Sequence, residues 1–71
     1  MINFPDEKTK EVYHYLLNFI NENNFPPKIK QIAEHLNYNN RTVSLKLEWL
    51  NKNNFIIWKR EGLTTIHIKS D

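Results

Sequence analysis

The chain has 71 residues, a single glycine, no cysteine and a net charge of +2 at neutral pH. This length supports one small domain, close to the lower limit for a self-sufficient hydrophobic core. Without cysteine, disulfide bonds and thiolate metal sites are excluded. No apolar run approaches the roughly twenty residues that cross a bilayer, and the N-terminal sequence MINFPDEK lacks the features of a signal peptide.

The first predicted helix covers about residues 6–23. Asp6 at its start complements the positive end of the helix dipole. One face carries apolar residues at i, i+4, i+7 and i+8, which is the spacing of a core-facing stripe, formed by Val12, Leu16, Phe19 and Ile20. Asn23-Asn24 ends the helix, and we expect Phe25 to fill the core before Pro26-Pro27.

Two further helices, about residues 28–36 and 40–52, are predicted on either side of a three-residue turn. Each has its own apolar stripe, formed by Ile32, Ala33 and Leu36 in one helix and by Val43, Leu47 and Leu50 in the other. Because so short a turn makes two helices cross steeply, the pattern predicts a helix-turn-helix. Asn37 suits a left-handed backbone, and Asn39 suits the N-cap of the third helix.

A β-hairpin is predicted at about residues 55–68. The third helix should end at Asn53-Asn54 in a left-handed cap, and two β-rich runs, FIIWK and LTTIHI, follow. Gly62 lies between these runs, where a hairpin tip requires positive φ. A short hairpin is not stable alone, so we expect an apolar face to pack on the helices, formed by Phe55, Ile57, Ile66 and Ile68.

A resemblance to a known superfamily rests on Ala33–Leu36, Thr42-Val43-Ser44, Leu47, Leu50 and Phe55-Ile56. These residues resemble the winged helix-turn-helix of bacterial repressors such as the MarR-like regulators. The segment EVYHYLLNFINENNFPPKIKQIAEHL is more particularly similar to the DNA-binding domain of the LexA repressor, in which a first helix, a linker ending in Pro-Pro and a short second helix follow in this order. The resemblance implies an α+β winged helix-turn-helix fold over about Asp6 to Ile68, with double-stranded DNA as its partner.

The chain departs from the family pattern at three turn or cap positions. The family often has glycine at the positions of Asn37 and Asn54 and a serine or threonine cap at that of Asn39, and asparagine can serve at all three. The match is loose around Leu45 and Trp49, so the target sequence of LexA is not carried over.

Charge placement favours DNA binding by the C-terminal half. Residues 1–40 hold four lysines against five acidic residues, whereas residues 41–70 hold six basic residues against two acidic ones. Such a basic region is the electrostatic footprint of a nucleic-acid partner, although an ordinary solvated surface has a similar composition. Arg41, near the start of the third helix, can reach a guanine edge or a phosphate. The residues predicted to contact DNA are Lys28, Asn39, Asn40, Arg41, Thr42, Ser44, Leu45, Lys46, Lys52, Lys59 and Arg60.

Leu45 and Trp49 are harder to interpret, because both fall on the face of the third helix opposite its core stripe. Leu45 could contact thymine methyl groups while Trp49 packs beneath the predicted hairpin, which is the wing of this fold. The pair could instead anchor a protein or dimer interface, or the helix phase could be shifted so that Trp49 completes the core. We favour DNA contact for Leu45 and core-edge packing for Trp49.

Enzymatic functions are not supported by the sequence. His14, His35 and His67 are widely separated, so neither a metal site nor another cofactor is predicted, and a chain with one glycine cannot build a glycine-rich phosphate loop. We therefore predict a cytoplasmic transcriptional regulator, acting as a repressor, from a bacterium, phage or plasmid. The alternatives are a winged-helix protein-interaction module and a DNA-binding domain of a replication or recombination factor.

The size of the domain bears on how many copies bind DNA. A single domain covers one half-site, so a weak homodimer through the first helix or the Leu45/Trp49 face, or dimerisation on DNA, would be needed for high specificity. The sequence does not distinguish a whole protein from one domain of a longer chain.

Overall fold

The computed structural model describes residues 4–59 and 65–68, with side chains described for residues 4–58. This part of the chain contains three helices and a two-stranded antiparallel sheet. The elements are α1 (Glu7–Asn23), α2 (Ile29–Leu36), α3 (Asn40–Lys52), β1 (Ile56–Lys59) and β2 (Thr65–Ile68). The helix bounds agree with the predicted ones to within one residue, and the α+β fold with a C-terminal hairpin is confirmed.

The helices begin where side chains can satisfy unpaired backbone N–H groups. Asp6 caps α1 by accepting a hydrogen bond from the Thr9 amide at 2.8 Å. Asn39 caps α3 in the same way, because its side-chain oxygen accepts from the Thr42 amide at 2.7 Å. The N-cap prediction for Asn39 is therefore confirmed.

Asparagine ends all three helices in the left-handed conformation. The φ angles of Asn24, Asn37 and Asn54 are 62°, 61° and 67°. After α3, the Phe55 amide donates to the Leu50 carbonyl at 2.9 Å, and the Asn54 amide donates to the Asn51 carbonyl at 3.3 Å. This is the bonding of a Schellman motif. The chain thus uses asparagine where many proteins use glycine, and the predictions for Asn37 and Asn54 are confirmed.

The hydrophobic core lies between the three helices and β1. Its buried members are Val12, Leu16, Ile32, Ala33, Val43, Leu47, Leu50, Ile56 and Trp58. The predicted stripe of α3 is fully buried, which confirms its phase. Phe19, Ile20 and Leu36, all predicted as core residues, are only half-buried.

Two core predictions are wrong. Ile56 and Trp58 face the core from β1, whereas Ile57 is 41% exposed, so the prediction that Ile57 packs on the helices is wrong. Phe55, which precedes β1, is half-buried and packs against the core as predicted. All four residues from 55 to 58 are apolar, so alternation could not select the face. Phe25 is 56% exposed and packs edge-on against Phe19 rather than inside the core.

The hairpin register pairs Ile56 with Ile68 and Trp58 with Ile66. The Trp58 amide donates to the side-chain oxygen of Asn51 at 3.1 Å, so β1 is fastened to the last turn of α3. The predicted hairpin tip, which includes Arg60 and Gly62, lies outside the described residues. The orientation of β1 relative to α3 is therefore set by a side-chain hydrogen bond as well as by apolar packing.

Candidate nucleic-acid interface

The outward face of α3 joins basic and apolar side chains. Arg41, Leu45, Glu48 and Lys52 are all exposed and fall on one side of the helix, opposite the buried stripe. Arg41 and Lys52 form no ion pair within the described residues. Each of these two cations is therefore available to an external anion.

The N-terminal turn of α3 adds small polar groups to this face. Asn39 and Asn40 are exposed, whereas Thr42 and Ser44 are half-buried. The cap uses the side-chain oxygen of Asn39, which leaves the NH₂ group of that side chain as a donor for a ligand. Since the positive end of the helix dipole lies at the same turn, the electrostatics there favour an anion such as phosphate.

Lys46 is in a different situation from the other cations of α3. Its ammonium group lies 2.8 Å from an Asp6 carboxylate oxygen, and its side chain is only 20% exposed. Hydrogen bonds from Lys46 and from the Thr9 hydroxyl and amide lower the pKa of Asp6 to about 2. The pair joins the start of α1 to the middle of α3. Because the two residues are forty positions apart, local sequence reasoning could not find this contact.

Trp49 belongs to an aromatic cluster at the edge of the core. Its ring stacks on Phe55 with centroids 5.6 Å apart and lies 6.3 Å from Phe4. Tyr13 completes the cluster, with its ring 5.6 Å from that of Phe4 and 5.4 Å from that of Phe55. Core-edge packing of Trp49 is thereby confirmed. Leu45 is left as an isolated exposed apolar residue on α3, which removes one of the two anchors that the protein-interaction alternative requires.

A contact that the sequence did not reveal holds the turn between α2 and α3. The Tyr38 hydroxyl donates to a Glu11 carboxylate oxygen at 2.6 Å, and the Lys8 ammonium lies 5.3 Å from the Tyr38 ring centroid. The hydrogen bond to the Glu11 carboxylate raises the pKa of Tyr38 to about 12. Since Tyr38 directly precedes the N-cap Asn39, this contact fixes the turn against α1 and helps set the angle at which α3 leaves the domain.

The start of α2 offers another exposed cation. Lys28 is the N-cap residue, and its backbone N–H donates to the side chain of Gln31 at 2.8 Å. The helix therefore begins at Ile29, and Pro27 directly precedes the N-cap residue. The Lys28 side chain is exposed. An external anion at the N-terminus of α2 is therefore also accessible to the Lys28 ammonium group.

The wing is described only in part. Lys59 ends β1, but its side chain is not among those described. Arg60 lies outside the described residues. The prediction that Lys59 and Arg60 contact DNA therefore rests only on their positions in the sequence of the hairpin.

Other kinds of site find no support in the described part of the chain. It contains no group of three residues that could hold a metal ion, and none of its helices is long and apolar enough to cross a membrane. A groove of about 390 Å³ opens between α1 and α2. It is lined by Tyr15, Asn18, Phe19, Glu22, Asn23 and His35, and the Tyr15 and His35 rings stack there with centroids 4.6 Å apart.

The α2–α3 pair joined by a three-residue turn, the exposed cations Arg41 and Lys52 of α3 and the following hairpin define a winged helix-turn-helix domain of the DNA-binding class. The sequence matches the LexA DNA binding domain family over residues 6–62. The chain belongs to this family, which supports sequence-specific DNA binding by a regulator. A comparison with curated proteins finds no match.

Proposed function

We propose that this protein is a transcriptional regulator, acting as a repressor, that binds a short double-stranded DNA sequence with α3 in the major groove. The observation that carries the proposal is Arg41 in the first turn of α3, which is exposed and forms no ion pair with the described residues. In helix-turn-helix proteins the N-terminal residues of the recognition helix contact base edges. A bound domain of this kind acts as a repressor when its site overlaps a promoter.

The first turn of α3 would carry most of the sequence selectivity. Arginine forms two hydrogen bonds with the O6 and N7 atoms of guanine, a contact worth about 1–3 kcal/mol of discrimination. Asn40 can pair in a similar way with adenine. Asn39, Thr42 and Ser44 flank this surface and suit phosphate contacts, which fix the register without reading sequence.

The remaining cations would bind the phosphate backbone. Lys28 lies at the N-terminus of α2, and Lys52 lies at the other end of α3. Lys59 and Arg60 fall in or beside the wing, which we propose to contact phosphate or a narrow minor groove. Lys46 is already neutralised by Asp6, so we propose that it holds α3 in position and contributes little to phosphate binding.

Two copies on one palindromic site would supply the specificity that a single half-site lacks. The helix-turn-helix of each copy would cover one half-site, and assembly would occur on the DNA. Location with the chromosome in the cytoplasm follows from this proposal.

Selection of bound sequences from a random duplex library tests the proposal. We expect one preferred sequence with guanine at the position contacted by Arg41, and an inverted repeat if two copies assemble. Arg41→Ala should broaden the selected sequences, whereas the matched control Lys52→Ala should weaken binding to all sequences alike.

Two outcomes would contradict the assignment. Selection that yields no preferred sequence from the wild-type chain would exclude sequence-selective binding. A Lys52→Ala variant that changes the preferred sequence, together with an Arg41→Ala variant that does not, would show that the roles of the two residues are reversed.

A further inference from the structure

Leu45 is an apolar side chain on the surface that is proposed to face DNA. It is 49% exposed, whereas the core stripe of α3 is fully buried. Single exposed leucines are common on protein surfaces, so exposure alone assigns no role. The informative feature is its position among the groups around it.

Leu45 lies one helical turn after Arg41 on the same face of α3. Residues four apart in an α-helix are neighbours on its surface, and four residues rise about 6 Å along the axis. Successive base pairs of B-DNA rise about 3.4 Å. A helix in the major groove that brings Arg41 to one base pair therefore brings Leu45 to a position about two base pairs away.

The major groove presents one apolar group, the 5-methyl group of thymine. If the leucine side chain packed on a polar base edge, it would displace water from that edge, and the base would lose hydrogen bonds that leucine cannot replace. A thymine methyl instead allows both apolar surfaces to leave water together. Trp49, the other large apolar residue near this face, packs into the aromatic cluster with Phe4 and Phe55, so Leu45 is the residue left to make this contact.

We propose that Leu45 is a specificity-determining residue that recognises a thymine methyl group about two base pairs from the guanine bound by Arg41. This inference rests on the proposed DNA-binding function and adds the chemical class of base that the site requires. Removal of one contacted methyl group should weaken binding roughly fourfold, which corresponds to the exposure of one apolar carbon.

Replacement of thymine by deoxyuridine tests the contact directly, because it removes the methyl group and keeps every hydrogen-bonding atom of the base. The preferred duplex is first selected with the full 71-residue chain, and each thymine is then replaced singly. We expect one replacement in each half-site to weaken wild-type binding about fourfold and the others to have little effect. Leu45→Ala should bind the thymine and uracil duplexes equally, and Leu45→Met should keep most of the difference because it preserves apolar volume.

Ile57→Ala provides the matched control, since Ile57 is an exposed aliphatic residue outside α3 and its variant should retain the full thymine preference. The inference is overturned if no replacement weakens wild-type binding, if Leu45→Ala keeps the thymine preference, or if Ile57→Ala removes it equally. In each of these cases the library has still yielded a preferred sequence. If the proposed function itself fails, the library yields no preferred sequence, so the two failures can be distinguished.

Discussion

Asp6 is expected to stabilise the domain through three contacts that can be separated by substitution. Its carboxylate accepts from the Thr9 amide at 2.8 Å, from the Thr9 hydroxyl at 2.7 Å and from Lys46 at 2.8 Å. Thr9 is fully buried, so its hydroxyl has no ready replacement from solvent. Loss of Asp6 would therefore affect the start of α1 and the α1–α3 contact together.

The expected magnitude follows from these contacts. Loss of an N-cap destabilises by about 1 kcal/mol, and a buried hydroxyl that loses its partner adds about 1–3 kcal/mol. The ion pair is partly exposed, so solvent screening limits it to about 0.2–1 kcal/mol. Because these terms share one carboxylate and are not additive, we expect Asp6→Ala to lower the free energy of unfolding by about 2–3 kcal/mol. Asp6→Asn keeps a capping oxygen and should lower it by less than about 1 kcal/mol.

Thermal unfolding followed by circular dichroism measures both effects. For a domain of this size, 2–3 kcal/mol corresponds to a fall of roughly 10–20 °C in the melting temperature. Since a chain of this length has a total stability of about 4–10 kcal/mol, the Asp6→Ala variant should still fold. A double-mutant cycle with Lys46→Met should give a coupling of about 0.2–1 kcal/mol.

The pH dependence provides a second measure of the same contact. The pKa of Asp6 is lowered from 3.8 to about 2 in the folded state, so the unfolded chain binds the proton more tightly. The contribution of Asp6 is present above pH 4 and is lost as the pH falls towards 2. The Asp6→Asn variant should lack this component. The reasoning is refuted if Asp6→Ala melts within two degrees of the wild type, or if Asp6→Asn shows the same acid sensitivity.

Three further predictions concern other contacts of the fold. Trp49→Ala should lower the free energy of unfolding by about 2–3 kcal/mol, below the range for a fully buried tryptophan, because Trp49 is only partly buried. Chemical denaturation measures this change, and an unchanged midpoint would contradict the packing of the cluster. In DNA titrations, Lys52→Met should reduce the slope of log affinity against log salt concentration by about 0.9. Lys46→Met should leave the slope unchanged, because Lys46 is already paired with Asp6. Equal slopes for the two variants would show that both lysines bind phosphate or that neither does. Glu11→Gln should lower the pKa of Tyr38 from about 12 towards its ordinary value. Ultraviolet titration measures this pKa, with Tyr38→Phe as the control that lacks the titrating group. In the wild type, the contribution of this contact to stability should be lost only as the pH rises from 10 through 12.

Short-range sequence patterns are enough to specify the helices, their ends and the exposed face of α3. Caps such as Asn39 and left-handed residues such as Asn37 act within a few positions of the chain, so their effect can be read locally. The buried stripe of α3 follows from helical periodicity, because only one side of the helix carries Val43, Leu47 and Leu50. The same periodicity predicts that Arg41 lies on the outward face of α3, and it requires no knowledge of tertiary contacts.

Other features depend on residues that are distant in the sequence and meet only in the folded domain. The run from Phe55 to Trp58 is apolar at every position, so its inward face was selected by packing on the helices and not by its own pattern. Phe25 found a partner in Phe19 at the surface, where the sequence predicted burial. The sequence predicts that Lys46 contacts DNA like the other cations of α3, whereas in the fold it pairs with Asp6, forty positions away. Local periodicity and capping describe short stretches of chain, whereas charge pairing and the choice of a strand face depend on which elements meet in space.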